Sequence, residues 1–260
     1  MKIRIFFLLL LPFAIAACKK TPVPTTSQNG PAFVEPIPEA TGHFLSRPSA
    51  SNKQTSFGPG LHTLKTESNK TALFYIPTTY SADKSSAFIV MLHGSTGDAA
   101  QSMSILRKYA DDHNFILYAP PSTTYTWDLV NPGRYEKDVV QINNGLDLMF
   151  RNFNLDTAKI AIAGFSDGAS YALSLGLTNG DLFTHVIAFS PGFIRFKNAT
   201  GKPKIFISHG EDDTVLSIGL SRAIVEQLNS RSFELNYVEF SGTHGVPGDI
   251  SRTAIDWFKK

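Results

Sequence analysis

A single cysteine, Cys18, is all that this chain of 260 residues has for cross-linking. No disulfide can form within the chain, so its fold has to stand on packing. Charge is scarce as well: 18% of the residues are Asp, Glu, Lys or Arg, and the formal net charge is +2. Lys2 and Arg4, at the amino end, account for that excess. Without them the chain is near neutral, and composition offers no basic surface for nucleic acid. Internal repeats and coiled-coil heptads are missing, which excludes solenoids and long zippers. The leading apolar run, Ile5 to Leu11, is too short for a membrane-spanning helix. What the chain does have is apolar material: 42% hydrophobic residues, with 20 phenylalanines. That is enough for one α/β domain with a well-filled core, and too little for two large ones.

Residues 1–17 have the layout of a signal peptide. Lys2 and Arg4 form the positive start, Ile5 to Leu11 the apolar stretch, and Ile15-Ala16-Ala17 the small-residue exit. The segment Ile15-Ala16-Ala17-Cys18 resembles the lipobox of bacterial lipoproteins. That resemblance implies export, acylation of Cys18 by chains such as palmitate, and a lipid-anchored protein at a bacterial membrane, facing the periplasm or the cell surface. The alternative is ordinary cleavage after Ala-x-Ala, which leaves Cys18 a free thiol. From Lys19 to about Gly60 the chain is rich in Pro, Ser, Thr and Gly and reads as a flexible tether. Its second half, around Phe44 and Phe57, could instead pack on the domain. The expected division is therefore 1–17 signal peptide, 18–60 lipidated cysteine and tether, and 61–260 folded domain.

Within 61–260, strands are expected at Ala72–Ile76, Ala87–Leu92, Phe115–Tyr118, Lys159–Ala163, Val186–Phe189, Lys204–Ser208 and Leu235–Phe240. Helices are expected at Ser102–Asp112, Glu136–Phe150, Asp167–Leu177, Ile218–Leu228 and Ile250–Phe258. Continuous apolar strands such as Ala87–Leu92 belong to sheets covered on both faces. The alternation predicts a mostly parallel α/β sheet with helices on both sides, and a site at the carboxyl ends of the strands.

Gly164-Phe165-Ser166-Asp167-Gly168 is a G-x-S-x-G pentapeptide between an expected strand and an expected helix. A nucleophile on so sharp a turn needs small neighbours where strand and helix pass close. The helix start also favours developing negative charge. Read alone, the same residues could be an N-cap serine beside a tight turn. A serine hydroxyl needs a base, and with this elbow the chain order is Ser, then carboxylate, then His. Three histidines follow Ser166. His185 begins a strand, at the wrong end; His209 ends one; His244 follows the last strand inside Ser241-Gly242-Thr243-His244-Gly245 and is preferred. The carboxylate is then sought after the penultimate strand, where Glu211, Asp212 and Asp213 all stand. A metal cluster of His209 with these three lacks a second histidine at a ligand spacing. His93-Gly94-Ser95-Thr96-Gly97-Asp98, after another strand end, can offer the backbone N–H of Ser95. With that of Asp167 it would make an oxyanion hole. The same residues also read as a plain turn with Asp98 as helix cap, and both readings can hold at once.

Three stretches, Met91–Ser95, Gly164–Ala169 and His209–Asp213, resemble bacterial serine esterases of the α/β-hydrolase fold. These are grouped with poly(3-hydroxybutyrate) depolymerases, feruloyl and acetylxylan esterases, and the phospholipase/carboxylesterase family. The likeness covers about residues 61–260. It implies that Asp213, the last residue of an H-G-x-x-D segment, is the acid, and that esters are cleaved through an acyl-enzyme without metal or organic cofactor. Relatives often insert a helical lid where this chain has only Ser190 to Pro203, so an open cleft without a large lid is expected. Pro191, Gly192, Phe193 and Trp127 are its expected walls, although Trp127 reads equally well as a packing residue. The expected partner is a small-molecule or polymer-linked ester, with a rate that rises through the imidazole range, roughly pH 6–7.5. A serine peptidase of the same fold, or a surface binding module that has lost turnover, are the competing readings.

Overall fold

The computed structural model describes residues 41–49, 53 and 55–260. The expected leader, Cys18 and the first half of the tether lie outside the described residues. Among the described residues eight strands form one sheet: β1 (Gly60–Lys65), β2 (Thr71–Ile76), β3 (Ser86–Leu92), β4 (Phe115–Ala119), β5 (Leu155–Phe165), β6 (His185–Phe189), β7 (Lys204–Gly210) and β8 (Leu235–Phe240). Their spatial order is β1-β2-β4-β3-β5-β6-β7-β8. The β1/β2 and β2/β4 pairs are antiparallel and all others parallel.

The alternation of side chains along a strand builds two cores from one sheet. In β3, Phe88, Val90 and Leu92 belong to one cluster, and Ala87, Ile89 and Met91 to the other. The first face is covered by α3 (Lys137–Asn152), α4 (Asp167–Thr178) and α5 (Ile218–Asn229); the second by α1 (Ala99–Leu106), α2 (Ala110–His113) and α6 (Gly248–Lys259). Every residue of β3, β4 and β6 is buried, as doubly covered strands require. No helix among the described residues is long and apolar enough to cross a membrane.

Three features differ from the sequence expectations. The edge strand β1 was not anticipated: its residues alternate between half-buried and exposed, so it offers no apolar run. The helix expected at Ser102–Asp112 begins earlier, at Ala99, because Asp98 caps it by accepting from the Gln101 N–H at 2.8 Å. It then tightens into a 3₁₀ turn at Arg107–Tyr109 before α2, which stops at Asn114 in the left-handed conformation.

The third difference is a correction to the boundary at residue 61. Phe44 is buried in the first core and meets Phe183 edge-to-face at 6.0 Å. Its N–H donates to Asn179 Oδ1 at 2.7 Å, and Asn179 Nδ2 donates back to Gly42 O at 2.8 Å. Phe57 packs edge-on against Phe74 at 5.1 Å. The described part of the supposed tether thus covers the domain, because two large aromatics there outweigh the ordering cost of a polar segment. Phe44→Ala is expected to destabilise the domain by about 3–5 kcal/mol in urea unfolding. A change under about 1 kcal/mol would mean that the segment contributes little.

Between β6 and β7, residues 190–203 form neither helix nor strand. No lid element is inserted there, and the carboxyl ends of β5, β6 and β7 stay accessible to loops alone.

Candidate active site

The last turn of β5 and the first of α4 hold Ser166 in a constrained backbone. Its φ is +57° and ψ −121°, a conformation that residues other than glycine seldom adopt. The glycines around it are required by space. A Cβ on Gly164 would sit 2.1 Å from Gly168 O, and one on Gly168 would sit 2.4 Å from His93 O. Strand β5, helix α4 and the end of β3 therefore pass at backbone contact, and this raises Ser166 above the sheet. The Ser166 N–H donates to Phe189 O at 2.9 Å, which ties the turn to β6.

His244 lies in the loop between β8 and α6. Its Nε2 is 2.9 Å from Ser166 Oγ, and its Nδ1 is 2.6 Å from Asp213 Oδ2. The structure thus brings Ser166, His244 and Asp213 into one hydrogen-bonded chain, although 78 residues separate the first two. Phe165 packs on the His244 ring at 4.8 Å between centroids. Asp213 is buried, whereas Glu211 and Asp212 are exposed. Asp213 Oδ1 accepts from the N–H groups of Val215 at 2.8 Å and Leu216 at 2.9 Å. Burial is the largest single influence on the Asp213 carboxyl and pushes its pKa up. Hydrogen bonds from His244, Leu216 and Val215, with the attraction of the imidazole, outweigh it and hold the group below the ordinary value. An ionised carboxylate at Nδ1 keeps the proton there, so Nε2 faces Ser166 as an acceptor. This arrangement can take the Oγ proton as the hydroxyl attacks a carbonyl.

His209, the runner-up base, does not reach Ser166. It is fully buried; its Nε2–H donates to Leu216 O at 2.8 Å and lies 3.1 Å from Asp213 Oδ2, while Nδ1 pairs with Ser221 Oγ at 2.6 Å. His209 braces the acid loop. His185 sits at the opposite end of its strand, edge-on to Trp257 and Phe258. Burial, helped by Lys159 and Lys204, pushes its pKa down to about 4. Among the described residues, no three His, Cys, Asp or Glu side chains converge as a metal site would need.

The loop after β3 lies against the nucleophile: a Cβ on Gly94 would be 3.3 Å from Ser166 Cβ. The Ser95 and Asp167 N–H groups have no partner among the described residues. They are unpaired donors adjacent in the chain to Gly94 and Ser166, and so available to an incoming oxygen. His93 holds this loop from behind. Ser122 N–H donates to His93 Nε2 at 2.9 Å, and Nδ1–H donates to Gly94 O at 2.7 Å. Burial pushes the His93 pKa down, which keeps the imidazole in this neutral tautomer.

Trp127, read equally as a cleft wall or a packing residue, is a packing residue. It is fully buried, stacks on Tyr171 at 5.2 Å, and its Nε1–H donates to His93 O at 2.8 Å. Its apolar body and single donor are both satisfied by the core, so it supports the loop instead of touching solvent. Phe193 is half-buried, packed on the first core with the Arg195 guanidinium 5.5 Å from its ring.

Sequence reasoning missed a buried carboxylate pair that shapes this side of the site. Asp138, at the start of α3, accepts from Thr123 N–H at 2.6 Å and Asp128 N–H at 2.8 Å. Asp128 accepts from Glu136 N–H, Asp138 N–H and the Tyr171 hydroxyl at 2.7, 3.0 and 2.8 Å. The pair fixes the segment that presents Tyr125 O to Thr96 N–H at 2.7 Å and the Thr126 hydroxyl to Asp167 Oδ2 at 2.6 Å. Burial, then repulsion from Asp138, raises the Asp128 pKa to about 6. A raised acid binds its proton more tightly in the folded state. Stability from this group is therefore present below the unfolded value, roughly pH 4, and is lost as pH rises toward 6. Unfolding free energies measured from pH 4 to 6 are expected to carry this falling contribution in the native chain and to lack it in Asp128→Asn. Identical slopes would contradict the assignment.

Comparison with known proteins places this geometry among relatives. The family model for esterases matches residues 64–198. An acetylxylan esterase of Coprinopsis cinerea is 30% identical over 105 residues, which is 36% of this chain and 28% of the relative. A bifunctional acetylxylan esterase/xylanase of Neocallimastix patriciarum is 28% identical over 142 residues, 51% of this chain and 20% of the relative. The matches thus span less than a third of these two relatives. Among solved structures, a ferulic acid esterase of Anaeromyces mucronatus in complex with ferulic acid superposes with a TM-score of 0.61 at 18% identity, covering 80% of this chain and 93% of that one.

Proposed function

The chain belongs to the esterase family and has the α/β-hydrolase fold, and on that premise we propose that it hydrolyses carboxylic esters through an acyl-enzyme on Ser166. The observation that carries the reading is the continuous hydrogen-bonded chain from Ser166 Oγ through His244 to Asp213. His244 takes the Oγ proton as the hydroxyl attacks the ester carbonyl. The N–H groups of Ser95 and Asp167 receive the oxyanion, and His244 then protonates the leaving alcohol. Water repeats the sequence and releases the acid. Asp213 holds the imidazole tautomer and stabilises the imidazolium without taking its proton.

The names of the relatives point to acetyl esters of xylan and esters of ferulic acid as the substrate class, and the connection at residues 190–203, without a lid element, suits a bulky or polymer-linked alcohol. Phe193 is the residue we assign to the edge of that cleft. Cys18 is read as the acylated first residue of the mature protein, which would hold the enzyme at a bacterial membrane, periplasm-facing or on the cell surface. Labelled palmitate attaching to the native chain and not to Cys18→Ala supports the anchor; equal labelling refutes it.

The test of the activity uses p-nitrophenyl acetate and butyrate, methyl ferulate, acetylated xylan and a chromogenic peptide, with fluorophosphonate labelling in parallel. Turnover of the esters with labelling at Ser166 supports the proposal. Peptide cleavage without ester turnover would make the chain a peptidase. Neither turnover nor labelling would leave a binding module.

A further inference from the structure

We propose that a second site, at the far end of α4 from Ser166, binds a small oxyanion: a carboxylate or phosphate group on a ligand of about sugar size. The site is a cavity of about 500 Å³ whose wall includes Thr178, the last residue of α4, together with Arg134, Tyr135, Arg195 and Lys197. Helix α4 starts beside Ser166, and its rise places Thr178 roughly 16 Å away. A group held against Thr178 therefore does not reach the Ser166 hydroxyl.

Three cationic side chains share this wall, and among the described residues no Asp or Glu is part of it. The grouping is not a set of ion pairs seen from outside. Only Arg134 has a carboxylate, Glu136 at 2.5 Å, and that partner lies off the wall. No carboxylate pairs with Arg195 or Lys197 among the described residues. Like charges gathered around a partly enclosed space repel one another, and an anion between them reverses the sign of that energy.

Arg195 is also held ready. Its main-chain N–H donates to Ser174 Oγ at 3.0 Å, and its carbonyl accepts from the Tyr135 hydroxyl at 3.5 Å. One guanidinium arm donates to Gly133 O at 2.6 Å, and the group rests against the Phe193 ring. This leaves the rest of the planar fork for a ligand, in the geometry that matches two oxygens of a carboxylate or phosphate. Lys197 adds a mobile point charge on the same wall. One hydrogen bond and one ring contact already restrict the arginine before a ligand arrives, which lowers the cost of binding.

Calorimetric titration of the full chain with inorganic phosphate, with galacturonate and with galactose tests the site. Saturable binding of phosphate, galacturonate or both, without binding of galactose, is the expected result. Phosphate alone would identify a phosphate ligand, and galacturonate alone a sugar acid. The double variant Arg195→Gln, Lys197→Gln is expected to weaken the bound anion roughly tenfold or more, and raising NaCl from about 0.05 to 0.5 M to weaken it further. Lys197→Gln alone, at an exposed side chain with no structural bond, is expected to weaken binding without altering the fold. Ser166→Ala is expected to bind as the native chain does, so this result stands apart from the outcome of the ester assays. No anion binding at millimolar concentration, or affinities unchanged in both variants, would overturn the proposal.

Discussion

Ser166→Ala is expected to lower ester turnover by roughly a factor of 10^4 to 10^6 while the domain keeps its fold. The change removes one oxygen from a side chain that, among the described residues, bonds only to His244 Nε2. It leaves the backbone tie to Phe189 O intact. What is lost is the atom that forms the acyl bond. What remains is binding and whatever the Ser95 and Asp167 N–H groups contribute to direct attack by water. His244→Ala is expected to cost a similar factor, because the nucleophile without its base is a neutral hydroxyl. The double variant should then cost little more than either single one, since the two residues act as a unit. Initial rates on p-nitrophenyl acetate, with far-UV circular dichroism as the check on folding, decide the matter. A folded Ser166→Ala retaining more than about a tenth of the native rate would sink the nucleophile assignment.

How much of this was legible in the sequence follows from which interactions are local. The elbow is local: strand, small residue, serine, small residue and helix are adjacent in the chain, and the close contact of Gly164 with Gly168 is a relation between neighbours. The parallel strands announce themselves because a strand covered on both faces has no polar side to interrupt it. β1 has one side half-exposed throughout, and so its text is indistinguishable from a loop. The choice of Asp213 over its neighbours rested on resemblance. Its physical reason is tertiary: the turn places the Val215 and Leu216 N–H groups on Asp213 and leaves Glu211 and Asp212 in solvent. Trp127 and the pair Asp128–Asp138 show the limit. Aromatic and acidic residues in a polar segment suggest surface, and nothing nearby in sequence shows that Tyr171, four main-chain donors and the back of His93 will close around them. Phe44 is similar, since its partners Asn179 and Phe183 are more than 130 residues distant.

Asp213→Asn is expected to cut turnover by about 10^4-fold, while Asp212→Asn and Glu211→Gln stay within about twofold of the native rate. The asymmetry comes from where each proton can sit. Asp213 Oδ1 already accepts from two main-chain N–H groups. An asparagine would keep its oxygen there and turn its NH₂ toward His244 Nδ1. A donor facing Nδ1 forces that nitrogen to accept, which moves the imidazole proton to Nε2. Nε2–H then points at Ser166 Oγ, where an acceptor is needed, and the base is lost without any displacement of the ring. The His209 Nε2–H, 3.1 Å from the same position, still has Leu216 O as its acceptor, so the loop need not unfold. Glu211 and Asp212 are exposed, and their side chains hold neither histidine in place. The prediction is therefore a loss in kcat with little change in KM for Asp213→Asn, and no more than a small effect for its neighbours. Equal losses at all three positions would show that the acid loop matters by its overall negative charge; near-native turnover in Asp213→Asn would show that His244 finds its tautomer unaided.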